Sequence, residues 1–176
     1  IEKILADKVL LSAGGWITDF LPKAEKPRFK ICRQVLHWLE IEPGQIDWTK
    51  YPVWMWGFGP KAEDFIYGFP SLDGMTVKMA SESFIDVGHP DLLNRSVSPE
   101  EQENFWKEKV EGKIHGLKRS FVQSVVCFYT VTEDARFVTE PLAGMDNVFM
   151  VSACSGHGFK HSAGLGERLA KELIGE

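Results

Sequence analysis

Along much of this chain apolar residues alternate with polar ones at a period near two, and the rhythm changes at the two ends and over residues 98–114. Residues two apart share one face of a strand, so the pattern predicts a protein built mostly on sheet. Val9-Leu10-Leu11-Ser12 reads as a short buried strand entering a tight turn at Ala13-Gly14-Gly15. Trp16, Ile17, Phe20 and Leu21 then have the spacing of a short helix, which Pro22 stops. From Arg28 to Glu40 the period-two split predicts a long strand with polar groups on both faces, and a buried Arg33 or Gln34 there needs partners. Residues 42–60 are rich in Pro, Gly and Trp, a loop leading into a strand near Val53 to Phe58. Phe65 to Leu72 and Met75 to Ser81 flank Asp73-Gly74, which predicts a hairpin on a type I′ turn with positive φ at both central residues. With Leu72 opposite Met75, Phe69 falls opposite Lys78 and Tyr67 opposite Ala80. Tyr67, Phe69, Lys78 and Glu82 then project from one side.

Ser98-Pro99-Glu100-Glu101 is a capping box with proline at the first helical position, and Gln102, Trp106, Val110 and Ile114 follow at spacing four. This predicts an amphipathic surface helix with Glu103 and Lys107 on its solvated face. A strand from Phe121 to Val131 follows, with Val125, Cys127, Tyr129 and Val131 on one side and Val126, Phe128 and Thr130 on the other. Val148 to Ala153 is a further strand, running through Cys154-Ser155-Gly156-His157-Gly158-Phe159-Lys160 into a helix marked by Leu165, Leu169 and Leu173. The fold class is α+β, a mostly antiparallel sheet with flanking helices, and no internal repeat is evident.

A length of 176 residues suits one domain, or a domain and part of another. At 44% hydrophobic and 26% charged residues the chain is globular in composition, and its net charge of -5 argues against general nucleic-acid affinity. No apolar run approaches the ~20 residues that cross a bilayer. Cys32, Cys127 and Cys154 are odd in number and far apart, which speaks for a reducing compartment, so a soluble, cytoplasmic protein is expected. The chain opens at Ile1, already reading as the middle of a fold, and a piece of a longer protein is expected.

Several groups invite chemistry. The strand, glycine turn and helix over residues 148–174 is either an anion-binding amide turn or an ordinary tight crossover, and Gly156-x-Gly158 lacks the third glycine of a dinucleotide fingerprint. Cys154, His157 and His161 have ligand-like spacing, but no second cysteine is near to close a tetrahedron, and no metal is expected. Cys154 or Ser155 as a hydrolytic nucleophile lacks the Gly-x-Ser-x-Gly elbow. Lys78 beside Tyr67 is a base or charge stabiliser if desolvated and an ordinary lysine if exposed. Cys127, among Val125, Val126 and Phe128, reads as a small buried hydrophobe. Residue chemistry alone ends at an α+β domain with one candidate anion-binding turn.

Tyr67-Gly68-Phe69-Pro70, Lys78, Cys127-Phe128-Tyr129-Thr130 and Ser155-Gly156-His157-Gly158-Phe159-Lys160 add more. In their order and spacing the chain resembles the C-terminal half of the monomeric sarcosine oxidase and N-methyltryptophan oxidase family, FAD-dependent members of the D-amino-acid-oxidase superfamily. The resemblance runs from Ala6-Asp7-Lys8-Val9 through Gly14-Gly15-Trp16 to the last helix. No Gly-x-Gly-x-x-Gly follows an opening strand, so the resemblance implies a chain without the N-terminal half of its Rossmann-like FAD domain, inactive alone. Residues 1–21 and 132–176 are then segments of that domain, and residues 22–131 a substrate-binding domain. The resemblance further implies FAD joined covalently through Cys127, with Lys78 over the flavin promoting reaction with oxygen. Lys160 would bind the substrate carboxylate, Tyr67 and Tyr129 would line the substrate cavity, and Gly156, His157, Gly158, Phe159 and Lys160 would face the flavin's pyrimidine edge. The hairpin register places Tyr67 with Lys78, and strand periodicity groups Cys127 with Tyr129, so both agree with a shared pocket. Glu82 stands where relatives carry an active-site histidine, which points to an amine with an additional positive group. The expected activity is oxidation of a secondary amine such as an N-alkyl amino acid, passing electrons to oxygen to give imine and hydrogen peroxide. The alternative is a non-catalytic domain that keeps the fold and binds a small anion at the Gly156 turn, or a protein through the tryptophan-rich segment 48–56.

Overall fold

A computed structural model describes residues 3–44, 46–61 and 63–176. In chain order its strands are β1 (Val9–Leu11), β2 (Lys30–Ile41), β3 (Trp54–Gly57), β4 (Phe65–Gly68), β5 (Thr76–Ala80), β6 (Leu117–Val131), β7 (Val138–Leu142) and β8 (Met145–Ser152), with helix α1 (Pro99–Phe105) before β6 and α2 (Ser162–Ile174) after β8. They divide into two compact units. The first draws on the chain up to Cys32, Asp86–Leu92 and Phe128–Glu176, and the second on Arg33–Ile85 and Leu93–Cys127.

In the first unit β1, β8 and β7 form a sheet in that order, with β1 parallel and β7 antiparallel to β8. The expectation of a buried opening strand is corrected here, because Val9 and Leu10 are exposed. Among the described residues β1 has β8 as its one neighbour, and an apolar run does not by itself bring packing to both of its faces. The helix predicted through Trp16 is a 3-10 segment over Gly14–Phe20 that buries Ile17, ending before Pro22. Ile17 joins Leu21, Phe29, Leu142 and Met150 in a core against which Leu11 and Val148 pack. The β7–β8 hairpin was not expected from the sequence; it turns through Gly144 at φ +78° and its register shifts at Pro141/Leu142. In α2 the predicted stripe holds, with Leu169 buried and Leu165 and Leu173 half-buried.

The second unit is a five-stranded sheet ordered β3-β4-β5-β2-β6. Its pairings β3–β4, β4–β5 and β5–β2 are antiparallel. Lys118 binds Glu40 while Ser124 binds His37, so β6 runs antiparallel beside β2 as well. The predicted hairpin register is the one observed: Tyr67 pairs with Ala80, and the Phe69 N–H donates to the Lys78 carbonyl at 3.0 Å. The turn itself differs from type I′, since Gly74 has φ +72° but Asp73 is not at positive φ. Asp73 instead accepts the N–H groups of Met75 (2.8 Å) and Thr76 (2.7 Å) together with the Thr76 and Ser71 hydroxyls. These donors hold its carboxyl well below the usual carboxylate range. The side-chain turn replaces the backbone turn without changing the register.

Leu39, Ile66, Val77, Met79, Phe105 and Val110 form the core of this unit, each worth about 1.5–3 kcal/mol by burial. Trp48 belongs to this core and Trp54 packs on it, so two of the three tryptophans in the segment 48–56 are structural. Both bonds of the predicted capping box are present at Ser98 and Glu101. The regular helix is shorter than expected, because α1 gives way to a π-helical turn over Trp106–Val110. Glu103 pairs with Lys107 and Arg119 on the outer side. The polar residues of β2 find the partners they need. Arg33 donates to the Asn94 carbonyl at 2.8 Å, the Ser96 carbonyl at 2.7 Å and Glu101 at 2.6 Å, and the Gln34 amide exchanges bonds with the Ser83 carbonyl (2.6 Å) and N–H (3.0 Å). The fold is α+β with a mostly antiparallel sheet.

Candidate functional site

In the second unit, strand parity sorts the chemistry. His37 pairs with buried Met79 and bonds Ser124 at 2.8 Å, so His37, Met79 and Ser124 lie on the core face. Trp38 and its register partner Lys78 therefore lie on the opposite face. Phe69, opposite Lys78, and Tyr67, two residues earlier, complete this face with rings 6.0 Å apart, edge to face. Tyr67, Trp38, Phe69, Lys78 and Cys127 are all half-buried. A cavity of about 460 Å³ is lined by Lys78, Trp38, Phe69, Thr76 and Asp73 among others. Glu82 is half-buried two residues past the end of β5, so the alternation that places Lys78 does not reach it.

In the first unit, the turn after β8 is wound tightly on itself. The N–H groups of His157 and Gly158 both donate to the Cys154 carbonyl (3.0 and 2.9 Å), and the Ser155 N–H donates to the Thr130 carbonyl at 2.9 Å. Gly156 has φ +75°, and a Cβ there would come within 2.9 Å of the Tyr129 ring. At Gly158 a Cβ would lie 1.6 Å from the Ala153 carbonyl oxygen, so only glycine fits. The turn thus needs its glycines for its own packing, and that requirement is independent of any ligand. His157 stacks on Phe137 at 4.9 Å and its Nε2 lies 2.9 Å from the Ala135 carbonyl, while His161 meets the same ring at 5.5 Å. Among the described residues no group of three or more His, Cys, Asp or Glu is placed to hold a metal ion. Phe159 and Lys160 are exposed, and Cys154 is half-buried.

The predicted residues thus fall into two sets. Tyr67 and Lys78 share a sheet face in the second unit, the unit to which Cys127 on β6 also belongs, and Tyr129 packs on the glycine turn carrying His157, Phe159 and Lys160 in the first. Trp38 is the member that sequence reasoning left without a role. A flat ring system that becomes anionic on reduction fits the donor set of the sheet face, which offers aromatic walls and an ammonium.

Over residues 2–172 the chain matches the model of the family described as FAD dependent oxidoreductase, and it belongs to that family. It is 34% identical to monomeric sarcosine oxidase of Bacillus sp. (strain B-0618), a match covering 94% of this chain and 43% of that protein. With N-methyl-L-tryptophan oxidase of Salmonella typhi the identity is 26%, covering 97% of this chain and 44% of the relative. The chain therefore spans less than half the length of these curated relatives. Among solved structures it is similar in fold to NikD, an amino acid oxidase of nikkomycin biosynthesis (TM-score 0.69, 15% identity, 95% of this chain and 44% of that one). A fructosyl peptide oxidase from E. terrenum is similar too (TM-score 0.66, 20% identity, 99% of this chain and 43% of that one).

Proposed function

We propose that this chain is part of an FAD-dependent amine oxidase that oxidises a secondary amine, an N-alkyl amino acid or a close analogue, and passes the electrons to oxygen to give imine and hydrogen peroxide. The observation that carries the reading is the common face of Tyr67 and Lys78, set by the β4–β5 register, with the rings of Trp38 and Phe69 on either side of the Lys78 ammonium. Bound FAD supplies the two-electron acceptor that protein side chains lack. Each residue then has a task. The Cys127 thiol is the covalent anchor, and the Lys78 ammonium stabilises negative charge developing on oxygen. The Lys160 ammonium holds the substrate carboxylate, and Tyr67 and Tyr129 form apolar walls that exclude water around the amine. The turn from Gly156 to Lys160 presents backbone dipoles to the cofactor. On this reading residues 1–21 and 132–176 complete an FAD domain with chain not present here, and the 176 residues are inactive alone.

The test uses the full-length protein, precipitated in acid and washed. A pellet retaining the flavin absorption spectrum, and a colourless pellet from Cys127→Ser, support the anchor. A coloured Cys127→Ser pellet refutes it, and a protein with no flavin in pellet or supernatant refutes the oxidase.

A further inference from the structure

Lys78 has an aromatic ring on each side. Trp38 on β2 is its register partner, and Phe69 lies across from it on the β4 side, so the three residues form a row over three adjacent strands on one face. The Lys78 Nζ is 4.9 Å from the Phe69 ring centroid and 5.2 Å from that of Trp38, inside the range over which a ring face attracts an ammonium. A lysine is ordinarily a mobile point charge on a four-carbon stem, able to aim its donors in many directions. Two rings fixed by backbone register remove much of that freedom. Trp38 is half-buried and faces away from the core cluster of its unit, so filling that core does not account for its size. Asp73 lines the same cavity, but its carboxylate is committed to the Met75 and Thr76 N–H groups and the Thr76 hydroxyl.

We propose that Trp38 and Phe69 clamp the Lys78 ammonium in one place on this face, and that the oxygen step depends on the clamp. Trp38 is thus a positioning residue that acts through Lys78. The inference rests on the role given above to Lys78.

Two readouts in the full-length protein test it. The first is amine-specific acylation followed residue by residue by mass spectrometry. Trp38→Leu and Phe69→Leu raise the labelling rate of Lys78 by about ten-fold, the scale of one well-placed cation–π contact, while exposed Lys107 and Lys171 label as before, and Trp38→Phe returns Lys78 close to the parent rate. The second is the half-reactions followed by stopped flow, where Trp38→Leu slows reoxidation by oxygen much more than reduction by the amine, and Trp38→Phe restores it. Unchanged Lys78 labelling in both leucine variants overturns the clamp whatever Lys78 does. Equal slowing of the two half-reactions overturns the dependence of the oxygen step on it. Undiminished reoxidation in Lys78→Met removes the role of Lys78 itself, and so separates failure of that reading from failure of the clamp.

Discussion

Acid should destabilise this protein through one buried histidine. His37 is only 2% exposed, lies against the rings of Phe105 (4.3 Å) and Phe121 (5.1 Å), and has Nδ1 bonded to the Ser124 hydroxyl. Burial pushes its pKa down from 6.5 to about 4, Glu101 opposing the shift and Arg33 adding to it. The unfolded chain takes up a proton near pH 6.5, whereas the folded protein resists until about 4, so stability is fully present above 6.5 and falls as pH drops through that window. The loss relative to pH 8 is about 2 kcal/mol at pH 5 and about 3 kcal/mol once both states are protonated. Urea unfolding of the full-length protein and of His37→Gln, at pH 8, 6 and 5, reads the effect as a difference between the two. The glutamine can still bond Ser124 but does not titrate, so its stability should lack this component of the acid loss. Parallel pH dependences, or a His37 ring titrating near pH 6.5 by NMR, refute the reasoning.

Two glycine positions should respond in opposite directions. Gly158→Ala drives a methyl into the Ala153 carbonyl and should cost about 3 kcal/mol or more, read as a lowered Tm with poor flavin retention, whereas Gly164→Ala, in α2 with nothing within 4 Å, should gain about 0.5–1 kcal/mol. Glu82→His should raise kcat/KM for neutral N-methyl amino acids and lower it for amines with a second positive charge, measured as peroxide release by the full-length protein; an unchanged ratio removes Glu82 from specificity.

Short-range rules carried far into this fold. The hairpin register needed only the position of the turn, because once Leu72 is set opposite Met75 every later pair follows, and Tyr67–Ala80 is observed. The turn type differs from the expected one because Asp73 offers two routes to the same reversal, and four donors to its carboxylate outweigh the backbone preference for type I′. The partners of Arg33 and Gln34 were demanded by the sequence but not named by it, because Asn94, Ser96 and Ser83 sit in loops about fifty or more residues away. At β1 an apolar run reads as a buried strand, and only the sheet order reveals that among the described residues it has a single neighbour. β7 left a weak signal, five residues interrupted by Pro141 and closed by Ala143-Gly144, which no alternation rule singles out.

The candidate site was legible to the same depth and for the same reason. Tyr67 and Lys78 could be joined because one hairpin connects them, whereas Cys127 and Tyr129, two apart on one strand, fall in different units. Beside Lys78 lies β2, which neighbours β5 in the sheet but has no local connection to it. Its side chain on the relevant face is Trp38, set opposite Lys78 across forty residues of sequence by the β2–β5 register. Period two assigns Trp38 to a face of its own strand but cannot say which strand it will meet. Strand order, a property of the whole sheet, turns a tryptophan of no evident purpose into the neighbour of the one ammonium on which the oxygen chemistry is proposed to depend.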